Sequence, residues 1–118
     1  MTTDIQIALA KTRSMKVTVA NAVGELGMRS EAAFNTGNAS LGNKLERQAI
    51  ELARQVIELR RTEDRIRAAT GLTPAITELD KIASDARKAL GRLERTSDAL
   101  AEAAKLATIL ANLAGVLT

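Results

Sequence analysis

The longest run of helical periodicity covers residues 74–118. Apolar and small residues recur there at alternating spacings of three and four, which places them on one side of an α-helix. The members of this seam are Ile76, Leu79, Ala83, Ala86, Leu90, Leu93, Ser97 and Leu100. Thr73 and Pro74 predict the start of the helix, because a hydroxyl can cap free N–H groups and proline is tolerated at the first helical position.

Beyond Leu100 the pattern becomes more apolar. Leucines form one face, small residues recur at every fourth position, and no charged residue follows Lys105. A helix that is apolar on most of its circumference must be buried by something. We therefore predict that this part of the chain forms an interface between copies of the protein. The predicted interface residues are Leu106, Ala107, Leu110, Ala111, Leu113, Gly115 and Leu117.

The amino-terminal half begins with a second periodic segment. Its apolar seam extends from Ile5 to Leu26 and predicts a helix over residues 4–28, capped by Thr3 or Asp4. Closely spaced glycines in its last turns indicate termination. Residues 29–43 are rich in Ser, Asn and Gly and predict a flexible loop that can hold one helical turn.

The next periodic segment predicts a helix over residues 44–70, stopped by Gly71. Ile50 and Ile57 lie beside its main seam, so the apolar face is wide, as expected for a helix with neighbours on two sides. The short turn 71–73 predicts that the following helix returns antiparallel against this one. That arrangement places Glu63 opposite Lys81, a pair that we expect to set register with little net stabilisation.

The carboxy-terminal helix is longer than its predicted partner, and two solutions remain open. The chain can break near residues 96–98, where Thr96, Ser97 and Asp98 are all acceptable caps, and fold back into a four-helix bundle. Alternatively, one helix over 74–118 remains continuous and its end packs against another copy. The seam passes through Ser97 with no glycine or proline nearby, and this favours the continuous helix.

The composition supports one domain over residues 1–118. There is one proline and one phenylalanine among 118 residues, and alanine and leucine dominate the apolar set. This composition favours helices over a sheet. The predicted fold is all-α, with three long helices or four in an antiparallel, coiled-coil-like bundle and a long carboxy-terminal helix.

The residue types also limit the chemistry. The chain has no histidine, cysteine or tyrosine. Common nucleophile–base pairs and nearly all zinc and haem sites need those side chains. Carboxylates such as Glu63 and Asp64 have arginines at helical spacing, as is typical of a solvated surface. We therefore expect no enzymatic activity, cofactor or metal.

The function predicted from these patterns is structural or protein-binding: a scaffold, adaptor or regulatory subunit that self-associates through its carboxy-terminal helix. A further, unidentified protein partner remains open. The alternatives are a membrane-active or exported helical factor and an accessory nucleic-acid-binding protein. We do not expect a nucleic-acid partner, because charges of both signs are interspersed along the chain. We do not expect a membrane partner either, because the uncharged run 106–118 is too short to span a bilayer. The absence of a basic-then-apolar leader predicts a cytoplasmic location.

Overall fold

A computed structural model describes residues 3–69 and 71–116. They form four α-helices and a short 3-10 helix, packed as a bundle of 53 × 22 × 21 Å. The elements are α1 (Asp4–Asn35), α2 (Ala39–Ala68), α3 (Thr73–Arg95), α4 (Ala99–Ala111) and the 3-10 helix Asn112–Gly115. The prediction of an all-α helical bundle is confirmed.

The first helix is longer than predicted. Thr3 caps it as expected, because its hydroxyl accepts a hydrogen bond from the Gln6 N–H at 3.1 Å. The helix then continues through Gly24 and Gly27 to Asn35, so the predicted end at residue 28 and the flexible loop over 29–43 are wrong.

Packing between α1 and α2 explains why residues 29–43 are helical. The Ser30 hydroxyl donates to the Gly42 carbonyl at 2.8 Å, and Phe34 lies so close to Gly42 that a Cβ there would meet the ring at 2.9 Å. Only residues 36–38 form the turn, in which Gly37 has φ of +83° and Asn38 caps α2. The polar residues that predicted a loop therefore serve as caps and inter-helix contacts.

The helices pack in the order α2–α1–α3–α4, and α4 also contacts α2 to close the ring. α1 and α2 are antiparallel, whereas α1 and α3 are parallel neighbours. Three polar contacts follow the α1–α3 boundary from one end to the other: Thr73 with Asp4, Lys11 with Asp80, and Arg29 with the end of α3. Thr73 therefore contacts α1 instead of capping α3, which has no side-chain cap.

The predicted packing of the third helix against the second is therefore wrong. In the described part of the chain, α2 and α3 are not a closely packed pair and lie diagonally across the bundle. Glu63 accordingly does not meet Lys81. It forms ion pairs with Lys16 of α1 and with Arg67 at 3.5 Å, while Lys81 is exposed. The error has a physical source, because periodicity reports which face is buried but not which helix covers it.

The carboxy-terminal segment is broken at Thr96–Asp98, so the favoured continuous helix is wrong and the four-helix alternative is correct. The Asp98 carboxylate accepts from the Ala101 N–H at 3.2 Å and begins α4. On the other side of the break, the Arg29 guanidinium donates to the carbonyls of Leu93 and Thr96. Folding back buries Leu106 and Leu110 within the same chain, without a second copy, and burial of a leucine side chain is worth about 1.5–3 kcal/mol.

Candidate functional site

The described leucines of the predicted interface lie inside the bundle. Leu106 and Leu110 are completely buried, and Leu113 is 1% exposed. Of the small residues, Ala107 is partly buried, whereas Ala111 and Gly115 are exposed. Leu117 lies outside the described residues.

The premise behind that interface is therefore wrong. The chain's own helices cover Leu106, Leu110 and Leu113, so these three leucines do not require a second copy. Self-association itself remains a prediction, and any surface that supports it must be sought elsewhere on the bundle.

Glu63 is the one buried acidic side chain in the described part of the chain. Its carboxylate lies between Lys16 and Arg67, and the side chain is 9% exposed. A buried carboxylate that is paired with two cations links α1 to α2. We interpret it as a structural contact, because charges buried in this way are stable only when they are paired.

A groove with a volume of about 290 Å³ lies at the end of the bundle that contains the α1–α2 turn. It lies between the α1–α2 turn and the α3–α4 break and is lined mainly by apolar side chains. Its two charged groups already have partners, since Arg29 binds the α3 carbonyls and Asp98 caps α4. The groove therefore has no unengaged charged group to orient a ligand.

A larger unpartnered surface lies on the outside of the α1–α2 hairpin. α1 packs against α3 and α2, and α2 packs against α1 and α4, which leaves one side of the hairpin in solvent. We call this surface the hairpin face. Its members are all exposed and comprise Arg13, Val17, Ala20, Gly24, Gly27, Met28 and Glu31 of α1 with Glu46, Ile50, Ala53, Ile57 and Arg60 of α2.

The hairpin face carries most of the large exposed apolar side chains. Val17 is 61% exposed, Met28 63%, Ile50 51% and Ile57 52%. Single exposed apolar residues are ordinary, but a contiguous group at helical spacing marks an interaction surface. No charged member of the face lies between its two ends.

The glycines of this face have no role inside the bundle. Gly24 and Gly27 lie in the interior of α1, and a Cβ added at either would have nothing within 4 Å. Glycine in a helix interior costs about 0.5–1 kcal/mol relative to alanine. Their missing side chains instead leave a shallow, uncharged surface on which another backbone could approach closely.

Charged residues frame the face at both ends. The Lys16–Glu63 and Ser30–Gly42 contacts fix the heights of the two helices, so Arg13 and Arg60 lie at one end. Glu31 and Glu46 lie at the other end. Within the described residues none of these four charges forms an ion pair. The hairpin face is thus positive at one end, apolar in the middle and negative at the other.

A second surface, on α3, is basic. A groove on its outward side is lined by Ser84, Arg87, Lys88, Gly91, Arg92 and Arg95. Arg92 is engaged with Glu102 at 3.1 Å, whereas Arg87 and Lys88 form no ion pair with the described residues. The Arg92 contact lowers the pKa of the Glu102 carboxyl, with Lys105 adding to the effect.

The fold and these surfaces define a small four-helix bundle with an apolar hairpin face and a basic groove. Comparison with protein-family models, with curated proteins and with solved structures yields no match. Among the described helices, none has the length and apolar character needed to cross a bilayer.

The hairpin face was only partly visible from sequence. The wide apolar face of α2 predicts that Ile50 and Ile57 are buried against a second helix, and the glycines of α1 predict the end of a helix. In the structure α4 packs on the opposite side of α2, so Ile50 and Ile57 stay exposed, and α1 continues through Gly24 and Gly27.

Proposed function

We propose that this protein is a non-catalytic interaction protein that binds a helical protein surface through its hairpin face. The observation that carries the proposal is the uncharged, aliphatic centre of that face, with Val17, Ile50 and Ile57 each more than half exposed. A contiguous exposed apolar patch with a polar rim is typical of a protein-binding surface.

The shape and charge of the face favour a helical protein over other partners. Gly24 and Gly27 leave room for a backbone to approach, and helix pairs use small residues in this way. The rim carries both signs, Arg13 and Arg60 at one end and Glu31 and Glu46 at the other. A nucleic acid or an anionic membrane would favour cations throughout, whereas a protein surface can match both signs.

The test is site-specific photocrosslinking in the native host. A benzophenone amino acid replaces Val17 or Ile57 on the hairpin face, and a matched control variant carries it at Lys88 on α3. We expect discrete protein adducts from both face positions and not from residue 88. Adducts only to lipid, the same adducts from all three positions, or no protein adduct from the face would each refute the proposal.

A second candidate function, nucleic-acid binding, has one observation in its favour. Arg87 and Lys88 of the α3 groove are exposed cations without ion-pair partners in the described chain. Binding through them would weaken as salt rises, because neutralised phosphates release counterions. Titration of duplex DNA at two salt concentrations, with the double variant Arg87→Glu/Lys88→Glu as control, tests it. Binding that the double variant retains would exclude the groove as the site.

A further inference from the structure

The hairpin face is arranged symmetrically about its own centre. On α1, Arg13 and Glu31 each lie nine residues from Ala22, on opposite sides. Val17 and Gly27 each lie five residues from it, and Ala20 and Gly24 each lie two residues from it. Val17 is thus matched with Gly27 and Arg13 with Glu31, whereas Met28 has no counterpart on the face, because the position six residues before Ala22 is Lys16.

α2 shows the same kind of arrangement about Ala53. Glu46 and Arg60 each lie seven residues from it, on opposite sides, and Ile50 and Ile57 lie three residues before and four after. The order of charges along this helix is reversed relative to α1. Because the two helices are antiparallel, the positive ends of both lie together.

The two centres lie at the same height on the hairpin. Lys16 and Ser30 of α1 contact Glu63 and Gly42 of α2, respectively. The midpoint of the α1 pair is residue 23, and the midpoint of the α2 pair falls between residues 52 and 53. Ala22 and Ala53 lie near these midpoints, and because the two contacts span fourteen residues of α1 and twenty-one of α2, they place the two centres level to within about 5 Å. A single axis perpendicular to the helices can therefore pass close to both centres.

From this coincidence we infer that the partner bound by the hairpin face is a second copy of this chain, related by a two-fold axis at the level of Ala22 and Ala53. This inference rests on the proposed function and names its partner. A two-fold interface is self-complementary, so residue i meets residue j of the other copy and residue j meets residue i. Here Arg13 meets Glu31 of the second copy, and the same contact recurs at the other end.

The charges select this orientation. In the antiparallel dimer the positive end of each face covers the negative end of the other, so Glu46 also approaches Arg60 of the second copy. A parallel two-fold dimer would place α1 over α2 of the second copy and Arg13 over Arg60, and like charges in contact are unfavourable. The apolar centres meet in the antiparallel case, with Val17 level with the open space at Gly27.

The face is large enough for a specific dimer. From Arg13 to Glu31 it spans eighteen residues, about 27 Å at 1.5 Å per residue. The bundle is 21–22 Å wide. The projected area is therefore at most on the order of 550 Å² per copy, or about 1,100 Å² in total, so the whole face must be covered to reach the minimum of about 1,000 Å² for a specific interface.

The first measurement is the mass of the purified full chain by sedimentation equilibrium over a range of concentrations. A monomer has a mass of 12.5 kDa, and we expect a reversible transition to about twice that value with no larger species. A monomer that persists to about 1 mM, or an open series of higher oligomers, would overturn the inference.

Charge reversal then tests which residues meet. Arg13→Glu places like charges opposite each other at both ends, and we expect the dimer dissociation constant to rise about tenfold, or 1.4 kcal/mol. The double variant Arg13→Glu/Glu31→Arg should restore the affinity of the original chain. Arg13 and Glu31 are too far apart to contact each other within one chain, so rescue requires contact between copies. A double variant that binds no better than Arg13→Glu would refute the pairing.

Single cysteines test the orientation without background, because the chain contains no cysteine. Ala20→Cys lies near the two-fold axis and should form a disulfide-linked dimer under mild oxidation. Glu31→Cys lies far from its own duplicate in the antiparallel dimer and should not. A linked dimer from Glu31→Cys, or none from Ala20→Cys, would refute this orientation. Circular dichroism of each variant establishes that these exposed substitutions leave the fold intact.

The experiments separate this inference from the proposed function. A monomeric protein whose hairpin face crosslinks to a different protein in the host would overturn the dimer and leave the interaction function in place. A monomeric protein with no protein adduct from that face would overturn both. A dimer that fails the charge-reversal and cysteine tests would overturn the two-fold arrangement proposed here.

Discussion

Arg29 is the side chain on which the break between α3 and α4 most depends. Its guanidinium, carried by α1, donates to the carbonyls of Leu93 and Thr96, and more weakly to that of Glu94 at 3.3 Å. Its Nε also binds the Glu25 carboxylate at 2.9 Å. The last carbonyls of a helix lack partners within the helix and carry its negative dipole end, so a cation from a neighbouring helix stabilises this terminus.

Replacing Arg29 with methionine retains the aliphatic stem and removes the donors. A hydrogen bond to a charged group contributes about 1.5–3 kcal/mol, but the Arg29 side chain is 25% exposed and water can replace part of what is lost. We therefore expect the free energy of unfolding to fall by about 2–3 kcal/mol in total. Arg29→Lys should lower the free energy of unfolding by an intermediate amount, because an ammonium group keeps the charge but lacks the planar fork that reaches several carbonyls.

The assay is urea unfolding followed by circular dichroism, with Arg47→Met as the matched control. Arg47 is exposed on α2 and has no ion pair in the described structure, so its replacement should change the free energy by less than about 0.5 kcal/mol. If Arg29→Met is as stable as Arg47→Met, Arg29 does not hold the end of α3 and the account of the break is incorrect.

Three further predictions concern the fold. Leu110→Ala should lower the free energy of unfolding by about 2–5 kcal/mol in urea titrations, because Leu110 is completely buried. A loss below about 1 kcal/mol would contradict the burial of Leu110 in the core. Gly37→Ala should cost about 1–2 kcal/mol in the same assay because of its positive φ, and an unchanged midpoint would exclude this turn geometry. The hydrogen bond from Lys11 lowers the pKa of Asp80 below its ordinary value of 3.8, so this contact stabilises the fold above that pH and is lost as the pH falls through the lowered pKa. As the pH is lowered, the urea midpoint of Asp80→Asn should therefore fall less steeply than that of the original chain. An identical pH dependence in the two proteins would refute the contribution of the Lys11–Asp80 contact to stability.

Local features of the fold were largely predictable because they depend on neighbouring residues. The cap at Thr3 follows from side chains within one turn of it, and the all-α fold follows from the composition. Asp98 was recognised as an acceptable cap, so the break was anticipated as an alternative. Local sequence could not choose between the two, since the decisive donor, Arg29, lies more than sixty residues away in the chain.

The candidate surface was less predictable for the same reason. Apolar periodicity places Ile57 beside the main apolar seam of α2, between that seam and the charged side of the helix. It does not show whether another helix covers Ile57. In the structure α4 packs on the opposite side of α2, and Ile57 remains 52% exposed. The symmetry of the hairpin face could be assessed only after the contacts between α1 and α2 had fixed the relative height of the two helices.

The amino-acid sequence by itself determined that this chain is helical, where its first helix begins, and which residues seek burial, because these properties arise from local propensity, capping and periodicity. Only the tertiary structure decided that α3 lies beside α1, that Leu106, Leu110 and Leu113 are covered within one chain, and that the hairpin face remains open. Burial is satisfied by any apolar neighbour of suitable shape, so the choice of neighbour depends on the packing of all four helices together.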